Sequence, residues 1–103
     1  MNLKTKIIKI EGKSSEAFFQ NLITNDIKLL ENNQALYSAM LTPQGKFLID
    51  FIIIKHQNFL LLEVNSNDAE ETVKLIKKYD LRGTLRINIE TNINTKFILY
   101  KDL

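Results

Sequence analysis

Leu41-Thr42-Pro43-Gln44-Gly45-Lys46-Phe47-Leu48-Ile49-Asp50-Phe51-Ile52-Ile53-Ile54-Lys55 holds the single proline of the chain, one of its three glycines, and a carboxylate set inside an apolar run. Proline pre-sets φ for an early turn position and glycine accepts the φ > 0 that follows, so 43–45 reads as a tight turn. Residues 47–54 then read as a strand. Side chains alternate across a strand, which puts Leu48, Asp50, Ile52 and Ile54 on one face and Phe47, Ile49, Phe51 and Ile53 on the other. Both faces are apolar except at Asp50, so the expectation is a strand buried on both sides. An ionised carboxylate removed from water costs several kcal/mol unless it is paired or hydrogen-bonded. Asp50 therefore requires a partner or a ligand.

Working outward toward the N-terminus, residues 4–11 are rich in isoleucine and alternate at Ile8, Lys9, Ile10 and Glu11, which predicts a strand ended by Gly12. Ser14 or Ser15 then caps a helix over 16–24, where Phe18 with Leu22 and Phe19 with Ile23 sit four apart on one face. The short polar run Thr24-Asn25-Asp26 ends it, because these side chains compete for backbone hydrogen bonds. A connector over 27–33 leads to a second strand over 35–41 and into the Pro-Gly turn.

Working toward the C-terminus, His56-Gln57-Asn58 forms a polar break before an apolar strand over 59–64, and the two runs read as an antiparallel hairpin. Asn67 with Glu70 three residues later resembles a capping box that opens a helix. Ala69, Val73, Ile76 and Tyr79 repeat at helical spacing, and Gly83 marks the exit. Residues 84–90 alternate cleanly, and a last strand is expected over 96–100. The order is β, α, three strands, α, two strands. The expected fold is a single α+β domain over 1–103, an antiparallel sheet carrying two helices, with ferredoxin-like elements and one strand added near the start or the end.

Composition narrows the function classes. The chain of 103 residues has no cysteine and one histidine, which excludes disulfides and thiol chemistry, and its acidic residues lack metal-loop spacing. The formal charge of +2 comes from lysines scattered over the whole chain, a pattern that does not indicate nucleic-acid binding. No signal peptide or membrane span is read, and cytoplasm is the expected location. No Ser-His-Asp arrangement, phosphate loop or paired catalytic carboxylate is found.

Three segments together resemble the N-terminal part of the YgfZ-type folate-binding proteins, relatives of the glycine-cleavage (GcvT) aminomethyltransferase. They are Phe18-Phe19-Gln20-Asn21-Leu22-Ile23-Thr24-Asn25-Asp26, then Leu41-Thr42-Pro43-Gln44-Gly45-Lys46 through Asp50-Phe51, then Tyr79-Asp80-Leu81-Arg82. The resemblance implies half of a folate-binding module that takes tetrahydrofolate, works in iron–sulfur protein assembly or repair with a link to tRNA modification, and is not an enzyme on its own. The alternatives are a fragment of a folate-dependent aminomethyltransferase and a degenerate protein-interaction module.

In the aminomethyltransferase relatives an aspartate in the strand after the glycine turn is the catalytic, folate-contacting group; it falls on Asp50. Tyr37 and Asn65 match a tyrosine and an asparagine of the same relatives, and Arg82 could pair with an acidic ligand tail. Ile54 stands where these relatives often carry a ligand-facing tyrosine. The family's Lys-Gly-Cys-x-x-Gly-Gln signature lies beyond the matched region, so the chain is expected to be a fragment, a truncated relative or part of a split protein. It is expected to pair as a homodimer or with a second subunit supplying the missing half.

Each of these residues also has a structural reading. Asp50 could be held by backbone N–H groups or a lysine. Tyr37 could pack its ring in the core, Asn65 could cap a helix, and Arg82 could meet helix-end carbonyls. Gly45 is read as a turn glycine, Lys46 as a solvated flank and His56 as an exposed loop residue.

Overall fold

In the computed structural model, which describes residues 5–30 and 34–90, β1 spans Thr5–Glu11 and is followed by α1 at Ser15–Gln20. A single 3-10 turn, Ile27–Leu29, leads to β2 at Ala35–Leu41, β3 at Phe47–His56 and β4 at Phe59–Asn65. A second 3-10 turn, Ser66–Asp68, opens α2 at Ala69–Tyr79, and β5 is Arg86–Glu90. The strand expected over 96–100 lies outside the described residues.

The strands form one antiparallel sheet in the order β2-β3-β4-β1-β5. Removing β2 leaves a βαββαβ unit in ferredoxin-like order, so the added strand is β2. It sits mid-chain in sequence and at an edge of the sheet in space.

Both helices contribute to the main core, on the sheet face that carries Ile8, Ile10, Ile53, Leu60 and Leu62. Phe19 of α1 and Ile76 of α2 are fully buried there, and Phe19 meets the Phe51 ring edge-on at 6.4 Å between centroids. Side-chain alternation puts every second residue of β1, β3 and β4 on the opposite face, where Ile7, Ile54 and Leu61 form a smaller buried cluster with Ile52 and Phe59 packed against it. Lys9 lies over the Phe59 ring at 4.4 Å.

The turn before β3 forms as its residues demand: Gly45 has φ +88° and donates its N–H to the Thr42 carbonyl at 2.8 Å. A bulge between Met40 and Leu41 adjusts the register beside it.

Four local expectations are corrected. The first helix stops at Gln20 and does not continue to 24, because residues 22–24 leave the helix to bond the free edge of β2. Ile23 bridges Met40, Leu41 donates its N–H to the Leu22 carbonyl at 2.9 Å, and Thr24 donates to the Ala39 carbonyl at 2.9 Å. No capping box forms with Asn67. Asn65 caps the preceding 3-10 turn instead, its Oδ1 accepting from the Asn67 N–H at 3.0 Å. His56 is not a loop residue: β3 runs through it to pair His56 with Phe59, and the half-buried imidazole packs edge-on against the Phe59 ring at 5.3 Å. The hairpin turns at Gln57-Asn58, with Gln57 at φ +55°. Fourth, β3 is not buried on both faces, since Asp50 is exposed. Among the described residues, no helix is long and apolar enough to cross a membrane.

Candidate functional site

Asp50 is exposed because β3 is flanked differently along its length. Its pairing with β4 runs from His56↔Phe59 to Ile52↔Glu63, whereas at Asp50 the recorded partner is Ala39 of β2. Ala39 offers only a methyl group at that position. The partner comes from the diagonal neighbour: Tyr37, which pairs with Ile52, reaches across and donates its hydroxyl to Asp50 Oδ2 at 2.5 Å. Diagonal neighbours on one face of an antiparallel pair lie within reach of an aromatic side chain.

Tyr37 does not pack its ring in the core; it is 63% exposed. The hydrogen bond to Asp50 raises the Tyr37 hydroxyl above its ordinary value of 10.0, with desolvation and the aspartate's charge acting in the same direction. At neutral pH Tyr37 is therefore a hydrogen-bond donor. Asp50, accepting on one oxygen, has further lone pairs to offer a ligand.

The backbone around Tyr37 is held from outside the sheet. Asn25 donates its side-chain amide to the Tyr37 carbonyl at 3.3 Å, and the Thr24 hydroxyl accepts from the Ala39 N–H at 3.1 Å. Thr24 Oγ1 also lies 3.3 Å from Oγ of the buried Ser38. Sequence reasoning took Thr24-Asn25 as a helix stop and missed this role. The signal was present in the same short polar side chains, which bond backbone wherever they meet it, but nothing local named β2 as the backbone they would meet.

Asn65 lies at the same end of the sheet. Two residues on from the Ile52↔Glu63 pair, β3 reaches Asp50 and β4 reaches Asn65, and alternation puts both on the face opposite the helices. With Oδ1 engaged in the cap, the Asn65 amide NH2 is the part of the side chain suited to a ligand.

Arg82 is not brought to this group. It follows α2 at the other end of the sheet, where β5 begins by pairing Arg86 with Glu11, while Asn65 pairs with Thr5 at the opposite end of β1. It lines a shallow groove of about 340 Å³ in the helical layer with Ser14, Phe18, Asn21 and Tyr79. A larger hollow of about 680 Å³ opens between the β3–β4 hairpin and the start of α1, lined by Lys13, Glu16, Lys55 and Phe59 among others. It is also remote from Asp50, and two of its charges satisfy each other, Lys55 Nζ lying 2.8 Å from Glu16 Oε1. The hydrogen-bonded acid therefore marks the site better than the hollow's size does. Among the described residues no group of three or more His, Cys, Asp or Glu side chains could hold a metal ion.

Residues 4–96 match the family model described as the GCVT N-terminal domain. The chain is 34% identical over 82 residues to an aminomethyltransferase of Staphylococcus epidermidis, which covers 79% of this chain and 23% of that protein. It is 32% identical over 92 residues to a mitochondrial iron–sulfur cluster assembly factor IBA57 homolog of Neurospora crassa, covering 82% of this chain and 21% of that protein. Its fold is similar to the crystal structure of glycine cleavage system aminomethyltransferase T from Bartonella henselae, with a TM-score of 0.73 at 22% identity over 84% of this chain and 24% of that one. The chain thus spans less than a quarter of the length of each of these proteins. With nine-tenths of its residues inside the matched region and its sheet in the same fold, this chain belongs to the GCVT N-terminal domain family.

Proposed function

We propose that this chain contributes to a tetrahydrofolate site on the β2–β3 face and that the bound folate serves iron–sulfur protein assembly or repair, with a link to tRNA modification. The observation that carries the folate reading is the hydrogen-bonded Tyr37–Asp50 pair, which presents a carboxylate to solvent beside the apolar Ile52 in a chain of this family. A reduced pterin has N–H donors for the carboxylate and a flat ring for the apolar surface. Asn65, at the same end of the sheet, supplies a second polar contact. Arg82 lies too far along the fold to share this ligand, and we leave it out of the site.

One feature favours the iron–sulfur role: similarity to a relative named as an iron–sulfur cluster assembly factor. The second reading, aminomethyl transfer to tetrahydrofolate, is favoured by the relatives named aminomethyltransferase. We further propose that the module works paired, as a homodimer or with a second subunit, since Tyr37 and Phe47, at separate points along the β2–β3 pair, are each 63% exposed.

Thermal melts with and without tetrahydrofolate test the folate reading. Saturating ligand should raise the wild-type midpoint, as any ligand that prefers the native state must. Asp50→Asn should weaken binding by about 1.5–3 kcal/mol, the range for losing a charged hydrogen bond, while leaving the unliganded midpoint unchanged or slightly lower, since the exposed acid gives up only its bond from Tyr37. A wild-type midpoint that saturating tetrahydrofolate does not move removes the proposal. An assay of one-carbon transfer to tetrahydrofolate separates the two roles, since turnover supports the second.

A further inference from the structure

We infer that Tyr37 is a positioning residue for Asp50: its hydroxyl holds Oδ2 so that Oδ1 faces the ligand, and Tyr37 acts on binding through the acid and not by touching the ligand itself. The inference rests on the folate reading of this face and assigns Tyr37 a role within it.

A tyrosine hydroxyl carries one hydrogen, and here that hydrogen is directed to Asp50 Oδ2 at 2.5 Å, at the short end of the range for O–H···O⁻ bonds. The hydroxyl also keeps its proton more firmly than an ordinary tyrosine does, so the donor role persists across neutral pH. An exposed aspartate on a strand would otherwise rotate about its own side-chain bonds. The residue directly opposite, Ala39, has no group able to stop it.

The ring that restrains Asp50 is itself anchored. Its strand is bonded to β3 on one edge, and on the other edge Asn25 holds the Tyr37 carbonyl while Thr24 holds both the N–H and the carbonyl of Ala39. The loop that the sequence spends on this edge is thereby part of the same support. It fixes the backbone of Ala39, directly opposite Asp50, and of Tyr37, its diagonal neighbour.

Tetrahydrofolate affinity measured for wild type, Tyr37→Phe, Asp50→Asn and the double variant tests the inference, with a melting curve for each. Tyr37→Phe keeps the ring and removes only the hydroxyl. It should weaken binding by about ten- to a hundredfold, the scale of one lost hydrogen bond to a charged group. In the Asp50→Asn background the same change should have little further effect, because the acid through which Tyr37 acts is gone. Losses that multiply in the double variant mean direct contact between Tyr37 and the ligand and overturn the inference. Wild-type affinity in Tyr37→Phe overturns it as well, and so does a loss of binding that merely tracks a lower melting midpoint. These outcomes leave the folate reading standing. Absence of binding by the wild type overturns the folate reading and this inference together.

Discussion

Tyr37 and Asp50 are thirteen residues apart in sequence and meet because β2 and β3 pair in the one register that makes them diagonal neighbours. The acid was legible from the sequence as the single charge in an apolar run. Its exposure was not, because residue type says nothing about where a neighbouring strand stops covering it. The bond has a spectroscopic consequence. A raised tyrosine value means that the folded state holds the proton more tightly than the unfolded one, so the stabilisation is fully present below 10.0 and is lost as pH rises through the folded value. Ultraviolet titration should show one tyrosine ionising at higher pH than a free tyrosine, and Asp50→Asn should move that component back. Identical alkaline titrations for the two proteins would contradict the Tyr37–Asp50 bond.

Among the elements, the strands were largely legible to within two residues, and α1 was the one that ended four residues short of its expected bound. Phe18, Phe19, Leu22 and Ile23 fit helical spacing, but Leu22 and Ile23 reach the core from a segment lying along β2. Periodicity over two turns cannot separate these cases, since both present apolar groups to the same core. The segment Tyr79-Asp80-Leu81-Arg82 also has a structural use that its pattern did not disclose. Asp80 ends α2 and folds the loop to β5: its Oδ1 accepts from the Thr84 N–H at 3.2 Å and its Oδ2 from the Leu85 N–H at 3.0 Å. Both carboxylate oxygens are thus turned inward, and Leu81 is left 92% exposed at the tip. Asp80→Ala should cost about 1–3 kcal/mol, the net value of two partly solvent-screened bonds, and hydrogen exchange at the Leu85 amide should quicken. Unchanged exchange there would show that the loop keeps its shape without the carboxylate.

At the scale of the molecule, the two halves of the fold meet closely at Gly12, where a Cβ would lie 2.9 Å from the Thr84 carbonyl oxygen and φ is +138°. The β1–α1 turn and the α2–β5 loop can touch only because that side chain is absent. The two helices pack on one face of the sheet, whereas the Tyr37–Asp50 end of the other face stays open to whatever binds or pairs there. Light scattering tests the pairing proposal at this scale. A mass of at least two chains is expected at high micromolar concentration for the homodimer, and a lone chain that also stays single when mixed with other parts of the module removes both forms of it. The order of the described elements, the turn at Gly45, the alternation of β1 and β3 and the singularity of Asp50 were determined by the sequence alone, because turn chemistry and side-chain alternation act over a few residues. The placement of β2 at the edge, the fastening of that edge by Thr24 and Asn25, the bond from Tyr37 to Asp50 and the separation of Arg82 from both were decided only by the tertiary structure. Each of these depends on strand order and register, which are set by how all the apolar faces pack at once.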